Sequence, residues 1–286
     1  MCITFYPAEL TGTVLYVGEG PKTDDGKLTH VLGYMNAATN RHDGPNAMIL
    51  PFPAAESMGP ANVVPSAGTR KLMESMAEIV NPKPRFRSMQ LGDNYMSRGG
   101  SRGFQVFEHG DYTVVMANNA SDLAEGMQTV PASKRPSITA DQFNDFTALY
   151  PNHTFALCCF ESKTSTKSDP MFWWYVPQNV ESFFMPALDA HDGNAPTEKS
   201  VRTDHTLVIG VPGGLPYMWN VLPESISKYL ASGIRGAGAA MSMPNGDFVI
   251  RKSHVAEDLI SAHMGRVSED GKSGRVFPRQ EHDKVQ

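Results

Sequence analysis

The sequence predicts an α+β fold: about ten short strands in one largely antiparallel sheet or two stacked sheets, with about five modest helices. Three observations carry this expectation. Gly and Pro number 25 and 21 among 286 residues, which favours many turns over a long-helix bundle. Short β-branched and aromatic runs recur between those turns. The helical stripes are few and do not alternate regularly with the strands, which argues against a doubly wound parallel sheet.

Residues 2–6 and 13–17 are the first strand-like runs, separated by Pro7 and Gly12. A third run covers 29–36, and a fourth, 47–52, is closed by Pro51 and Pro53. Residues 1–52 thus read as a β-meander. The first helix spans 69–80, where Leu72, Met76, Ile79 and Val80 form one apolar stripe and Asn81-Pro82 stops it. A strand at 112–117 and a short helix at 121–127 follow. Thr139 and Gln142 have the spacing of a capping box, with Phe143, Phe146 and Leu149 on the inward face of the helix they open.

The densest apolar block lies between Phe155 and Gly210. Residues 155–160, 172–176 and 206–210 read as strands, and 182–188 as one broken at Pro186. Along the second of these, Trp173 and Tyr175 share one face while Phe172 and Trp174 share the other, so the strand is covered on both sides. Pro223 suits the first position of a helix with Ile226, Tyr229 and Leu230 inward and Gly233 as its cap. Residues 234–241 (IRGAGAAM) read as flexible, and 244–247 (PNGD) as a hairpin turn into a strand at 248–251. Ser253 is placed to cap a last helix ending near Gly265. The chain therefore divides into a single globular domain, 1–265, and a polar tail, 266–286, disordered or ordered by a partner.

A net charge of −5 with both signs interspersed leaves no footprint for nucleic acid or an anionic membrane. No apolar run is long enough to span a bilayer, and the first residues lack the basic and apolar regions of a signal peptide. Three cysteines, two of them adjacent, cannot frame a secreted disulfide scaffold. The sequons at Asn119 and Asn152 need a secretory route that nothing else in the sequence supports. The expected location is cytoplasmic.

Four features bear on chemistry. Removal of Met1 before so small a residue leaves Cys2 with a free α-amine, the arrangement of an N-terminal nucleophile whose own amine acts as base. Asn36 and Asn46, amides flanking turns, are then candidates to orient a carbonyl or form an oxyanion hole. The second feature is the pair of acid–histidine dipeptides, His191 with Asp192 and Asp204 with His205. His191 and Asp192 are candidate ligands for a divalent metal, with Asp189 supplying a further oxygen. Asp204 and His205 are candidates for an acid–base pair. The spacing matches no established metal motif, and side chains adjacent on a strand face opposite ways. Third, residues 98–103 (RGGSRG) and the glycines Gly236 and Gly238 resemble phosphate-binding loops only loosely and read as plain flexible segments. Fourth, the 172–175 aromatics read as core.

Two functions follow as expectations. The first is hydrolysis of a small amide or ester through Cys2 or the acid–histidine loop, with a small-molecule substrate. The second is a structural protein that self-associates through its aromatic strands and its tail.

Overall fold

The computed structural model describes residues 2–65, 70–82, 103–161, 166–167, 170–199, 201–239, 242–256 and 274–276. Three long strands open the chain after the short β1 (Cys2–Ile3): β2 (Ala8–Glu19), β3 (His30–Asn40) and β4 (Asn46–Phe52). The two-residue β5 (Val63–Val64) leads towards helix α1 (Arg70–Val80), where Leu72 and Met76 of the expected stripe are buried together with Met73, and Ile79 and Val80 are half-buried against the same core. A hairpin of β6 (Phe104–His109) and β7 (Tyr112–Ala117) follows, turning through Gly110 at φ 54. Helices α2 (Ala120–Met127) and α3 (Ala140–Thr147) come next. The expected capping box at Thr139 and Gln142 is present, and Asn119 caps α2 by accepting from the Asp122 amide.

The apolar block supplies β8 (Thr154–Phe160), β9 (Thr166–Lys167), β10 (Met171–Tyr175) and β11 (Ser182–Met185), the last ending at Pro186 as expected. Then come β12 (Asp189–Ala190), β13 (Val201–Arg202), β14 (His205–Leu215), α4 (Glu224–Ser227), β15 (Ile234–Ala239), β16 (Ser242–Met243), β17 (Asp247–Arg251), α5 (Lys252–Ala256) and β18 (Gly274–Val276). The described residues thus form mixed α and β structure dominated by strands, with five α-helices. They hold eighteen strands, not ten, and six of these are two residues long, too short to show a pattern.

The pairings are largely antiparallel, as expected, but the sheets are mixed. The largest runs β15-β14-β2-β3-β10-β5, with β9 on β3, and its β14–β2 pairing is parallel. β14 returns to β2 only after a long excursion, and a crossover of that kind delivers a strand in parallel. A four-stranded sheet, β4-β8-β7-β6, is antiparallel throughout. β11-β17-β18 form a third sheet, β13 pairs with β16, and β1 pairs in parallel with β12.

Side-chain direction shows how these pieces stack. On β10, Trp173 meets Phe52 of the four-stranded sheet at 5.2 Å between ring centroids, whereas Phe172 meets Tyr16 at 5.8 Å on the opposite face. Edge contacts of this kind add about 0.5–1.5 kcal/mol each beyond area burial. Cys158 points to Met171 of the central sheet and its neighbour Cys159 to Met127 of α2. The layers are therefore α1 with the 222–234 segment, the central sheet, the four-stranded sheet, and α2 with α3. β10 is covered on both sides, as its double aromatic face requires, and its rings belong to the two cores.

Local readings that fail do so for identifiable reasons. Residues 234–239 are strand β15: Gly236 lies so close to β14 that an added Cβ would stand 2.0 Å from the Leu207 carbonyl oxygen. The glycines read as flexibility are close backbone contact. Gly233 does not cap α4, which ends at Ser227; its Cα backs onto the Gly214 backbone. Pro223 is the residue before α4 and not its first. Residues 244–246 do not close a hairpin, because β16 pairs with β13 while β17 pairs with β11 and β18. Ser253 lies inside α5, which follows β17 directly, and residues 257–265 of the expected last helix lie outside the described residues.

Candidate functional site

Thr4 bridges to Met48, and the Phe5 amide donates to the Ala47 carbonyl at 3.1 Å, so the N-terminal segment runs along the edge strand β4. On its other side β1 pairs with β12, setting Cys2 opposite Asp189 and Ile3 opposite Ala190. Neighbouring strands lie about 4.8 Å apart in such a ladder. The Asp189 carboxylate then meets the His205 imidazole, Oδ1 to Nε2, at 3.5 Å. Both side chains are buried.

His205 is the first residue of β14 and shares a face with Leu207 and Ile209, which line the core between the two sheets. Asp204 looks the other way. Its Oδ2 accepts from the Gly12 amide at 2.7 Å, where Gly12 sits at φ +62. The two members of the Asp204–His205 dipeptide therefore separate, and the acid that reaches His205 is Asp189. Strand alternation makes that separation obligatory.

His191 and Asp192 sit in the exposed turn after β12 and serve local structure. His191 Nδ1 donates to the Ala8 carbonyl at 3.0 Å. Asp192 accepts from the Asn194 backbone at 3.0 Å and its side-chain amide at 2.9 Å, which holds its carboxyl below the usual range. Among the described residues, no three His, Cys, Asp or Glu side chains converge as a metal would require.

Asn46 is fully buried and committed. Its Oδ1 accepts from the Tyr6 and Ala47 amides at 3.1 and 2.8 Å, and its Nδ2 donates to the Tyr6 carbonyl at 3.0 Å and to Asn40 Oδ1 at 3.3 Å. Both amide hydrogens and both lone-pair directions are used, so nothing is left to stabilise an oxyanion. Asn36 is buried and donates to the Tyr34 hydroxyl. Of the segment 98–103, only Gly103 falls within the described residues, packed against the Asp122 carboxylate.

Two residues that pattern reading took for a turn hold the site together. Asn245 Oδ1 accepts from the Asp189 amide at 2.8 Å, and its Nδ2 donates to the Asp189 and Thr197 carbonyls at 2.7 and 3.0 Å. Asp247 accepts from the Ala187 and Leu188 amides at 2.7 and 2.9 Å and from the Tyr150 hydroxyl at 2.7 Å. Burial raises the Asp247 carboxyl above its usual range, against the opposing pull of these three donors. The strand carrying Asp189 is thus clamped backbone and all between β1 and the 245–247 segment. The available signal was an Asp immediately before the apolar run 248–250 and an Asn two residues ahead of that Asp, where an unpaired polar group would be costly.

No family model and no curated protein matches the chain. Among solved structures it is similar to that of baculovirus P35, with 12% identity over 88% of this chain and 92% of that one, at a TM-score of 0.41. A mutated baculovirus P35 after caspase cleavage matches with 10% identity over 70% of this chain and 65% of that one, at 0.39. Likeness at this level assigns no function.

Proposed function

We propose that the chain is a thiol-dependent hydrolase of a small amide or ester, with Cys2 as nucleophile, His205 as base and Asp189 as the acid that orients it. One observation carries the reading: the β1–β12 ladder sets Cys2 opposite Asp189, and the Asp189 carboxylate meets the His205 imidazole. In such a constellation the imidazole takes the thiol proton and the thiolate attacks the carbonyl carbon. The imidazolium then protonates the departing amine or alcohol, and water hydrolyses the thioester. With His205 as base, removal of Met1 is not needed. The test is alkylation of the native chain with iodoacetamide from pH 5 to 10, mapped by peptide. Cys2 is expected to titrate below the ordinary thiol value of about 8.5, and His205→Gln to return it there. An ordinary titration that His205→Gln leaves unmoved rejects the mechanism.

A second reading, self-association, draws on one different observation. Leu215 at the end of β14, and Met218 and Val221 on the segment that leads to α4, are exposed. The aromatic strand β10 does not offer such a surface, since its rings fill the two cores. A monomeric mass in solution across micromolar concentrations rejects this alternative.

A further inference from the structure

The three-stranded sheet is tied to the central sheet across a seam that contains a buried histidine. His30 opens β3 and is only 1% exposed. Its ring lies 4.9 Å from that of Phe183 on β11 and 6.1 Å from that of Tyr175 on β10. The ring is hydrogen-bonded to the Val180 backbone, while Nε2 has no hydrogen-bond partner among the described residues. Lys252, where β17 passes into α5, places its ammonium 5.3 Å from the Phe183 ring and pairs with Glu19 at the end of β2. The Lys252 amide also donates to the Glu181 carbonyl at 2.9 Å. Among the described residues, the charged groups facing His30 are Lys252 from the β17–α5 junction and Glu19 from β2, and Tyr175 is a phenol that burial keeps neutral.

We propose that His30 is an acid-sensitive latch, whose protonation favours opening of this seam, so that β11, β17 and α5 part from the central sheet more often in acid than the four-stranded sheet opens. A proton on His30 creates a second cation beside Lys252, inside an aromatic pocket, with an Nε2–H that has no described acceptor. Glu19, the nearby anion, is already engaged by Lys252. Separation relieves the strain, and the element that separates is the one carrying Phe183 and Lys252. Burial first, and the Lys252 charge second, hold the imidazole down at about 4 against 6.5 for a free histidine. The closed seam therefore has its full stability above pH 6.5 and loses it as pH falls towards 4, because the open form binds the extra proton in that window. One such proton makes opening about 30-fold more favourable at pH 5 than at pH 7.5.

Native-state hydrogen exchange of the full chain, read by mass spectrometry at pH 7.5 and 5.0 and corrected for intrinsic rates, tests this. Opening of Ser182–Met185 and Asp247–Arg251 should rise about 30-fold in the unmodified chain. It should not rise in His30→Gln, and β4 and β8 should stay protected in both. An equal rise in His30→Gln, or a rise shared by every strand, overturns the latch. NMR titration of the His30 ring in the unsubstituted chain decides independently of whether the variant folds: a midpoint near 4 supports the latch, and an ordinary one near 6.5 rejects it.

Discussion

Asp189 Oδ1 lies 3.5 Å from His205 Nε2 where β12 meets the first residue of β14, with both side chains buried. Neither can be removed without leaving its partner in a poorly solvated place. Asp189→Asn and His205→Gln should each lose about 2 kcal/mol of stability in urea unfolding. The double variant should lose less than the sum, because the second change removes a partner already stranded by the first. Strictly additive losses would mean that the two groups do not interact.

Asn46 holds Tyr6 from both sides, accepting from its amide and donating to its carbonyl. Asn46→Ala strands these groups and the Ala47 amide, for a loss of about 2–4 kcal/mol. If Asn46 is purely architectural, Asn46→Ala should leave the alkylation pH profile of Cys2 in place while lowering the urea midpoint. A changed profile at unchanged stability would restore Asn46 to the chemistry.

The layers were legible before the connections were. Double-faced aromatics on 172–175 announced a strand covered on both sides, and Phe52 with Trp173 and Tyr16 with Phe172 are the contacts that cover it. The stripe of α1 and the Thr139 box are short-range signals, and both mark what the chain forms. Two-residue ladders such as β1 with β12 have no pattern to read, since their register is set by what they pack against. For the same reason His205 was legible as a candidate but its acid was not. Sequence adjacency favoured Asp204, and strand geometry turns that side chain away towards Gly12.

Tyr150 donates to the buried Asp247 carboxylate at 2.7 Å. Removing that donor in Tyr150→Phe should cost about 1–3 kcal/mol, as expected when a buried acceptor loses its partner. The pH dependence has a definite sign. Asp247 titrates above its unfolded value because of burial, so the folded state takes up its proton first and gains stability as pH falls through that raised pKa. The deficit of Tyr150→Phe should therefore shrink on acidification. A deficit that stays constant from pH 7 to 4 would show that the hydroxyl acts by packing alone.

Cys158 and Cys159 are buried, and burial raises both thiols, Cys159 to about 12. At pH 7.5 neither should be alkylated in the native chain, and both should label in denaturant, as intact mass will count. Their labelling rate should follow global unfolding, because β8 is paired on both sides by β4 and β7. Fast native labelling at either position would mean that the four-stranded sheet opens locally, and would spoil the selectivity on which the Cys2 assay depends.

Two glycines make opposite demands. Gly12 adopts φ +62 with nothing within 4 Å of an added Cβ, so Gly12→Ala meets only the left-handed penalty of about 1–2 kcal/mol. At Gly236 the Cβ would stand 2.0 Å from the Leu207 carbonyl oxygen, and the obstacle is backbone. Gly236→Ala must therefore push β15 away from β14 at the pairing of Val208 with Gly236. Its expected cost exceeds about 4 kcal/mol, in the range of severe steric disruption. Thermal unfolding of the two variants side by side checks the order. Equal shifts would mean that β15 yields freely, and the close β14–β15 approach would then be no constraint on residues 234–239.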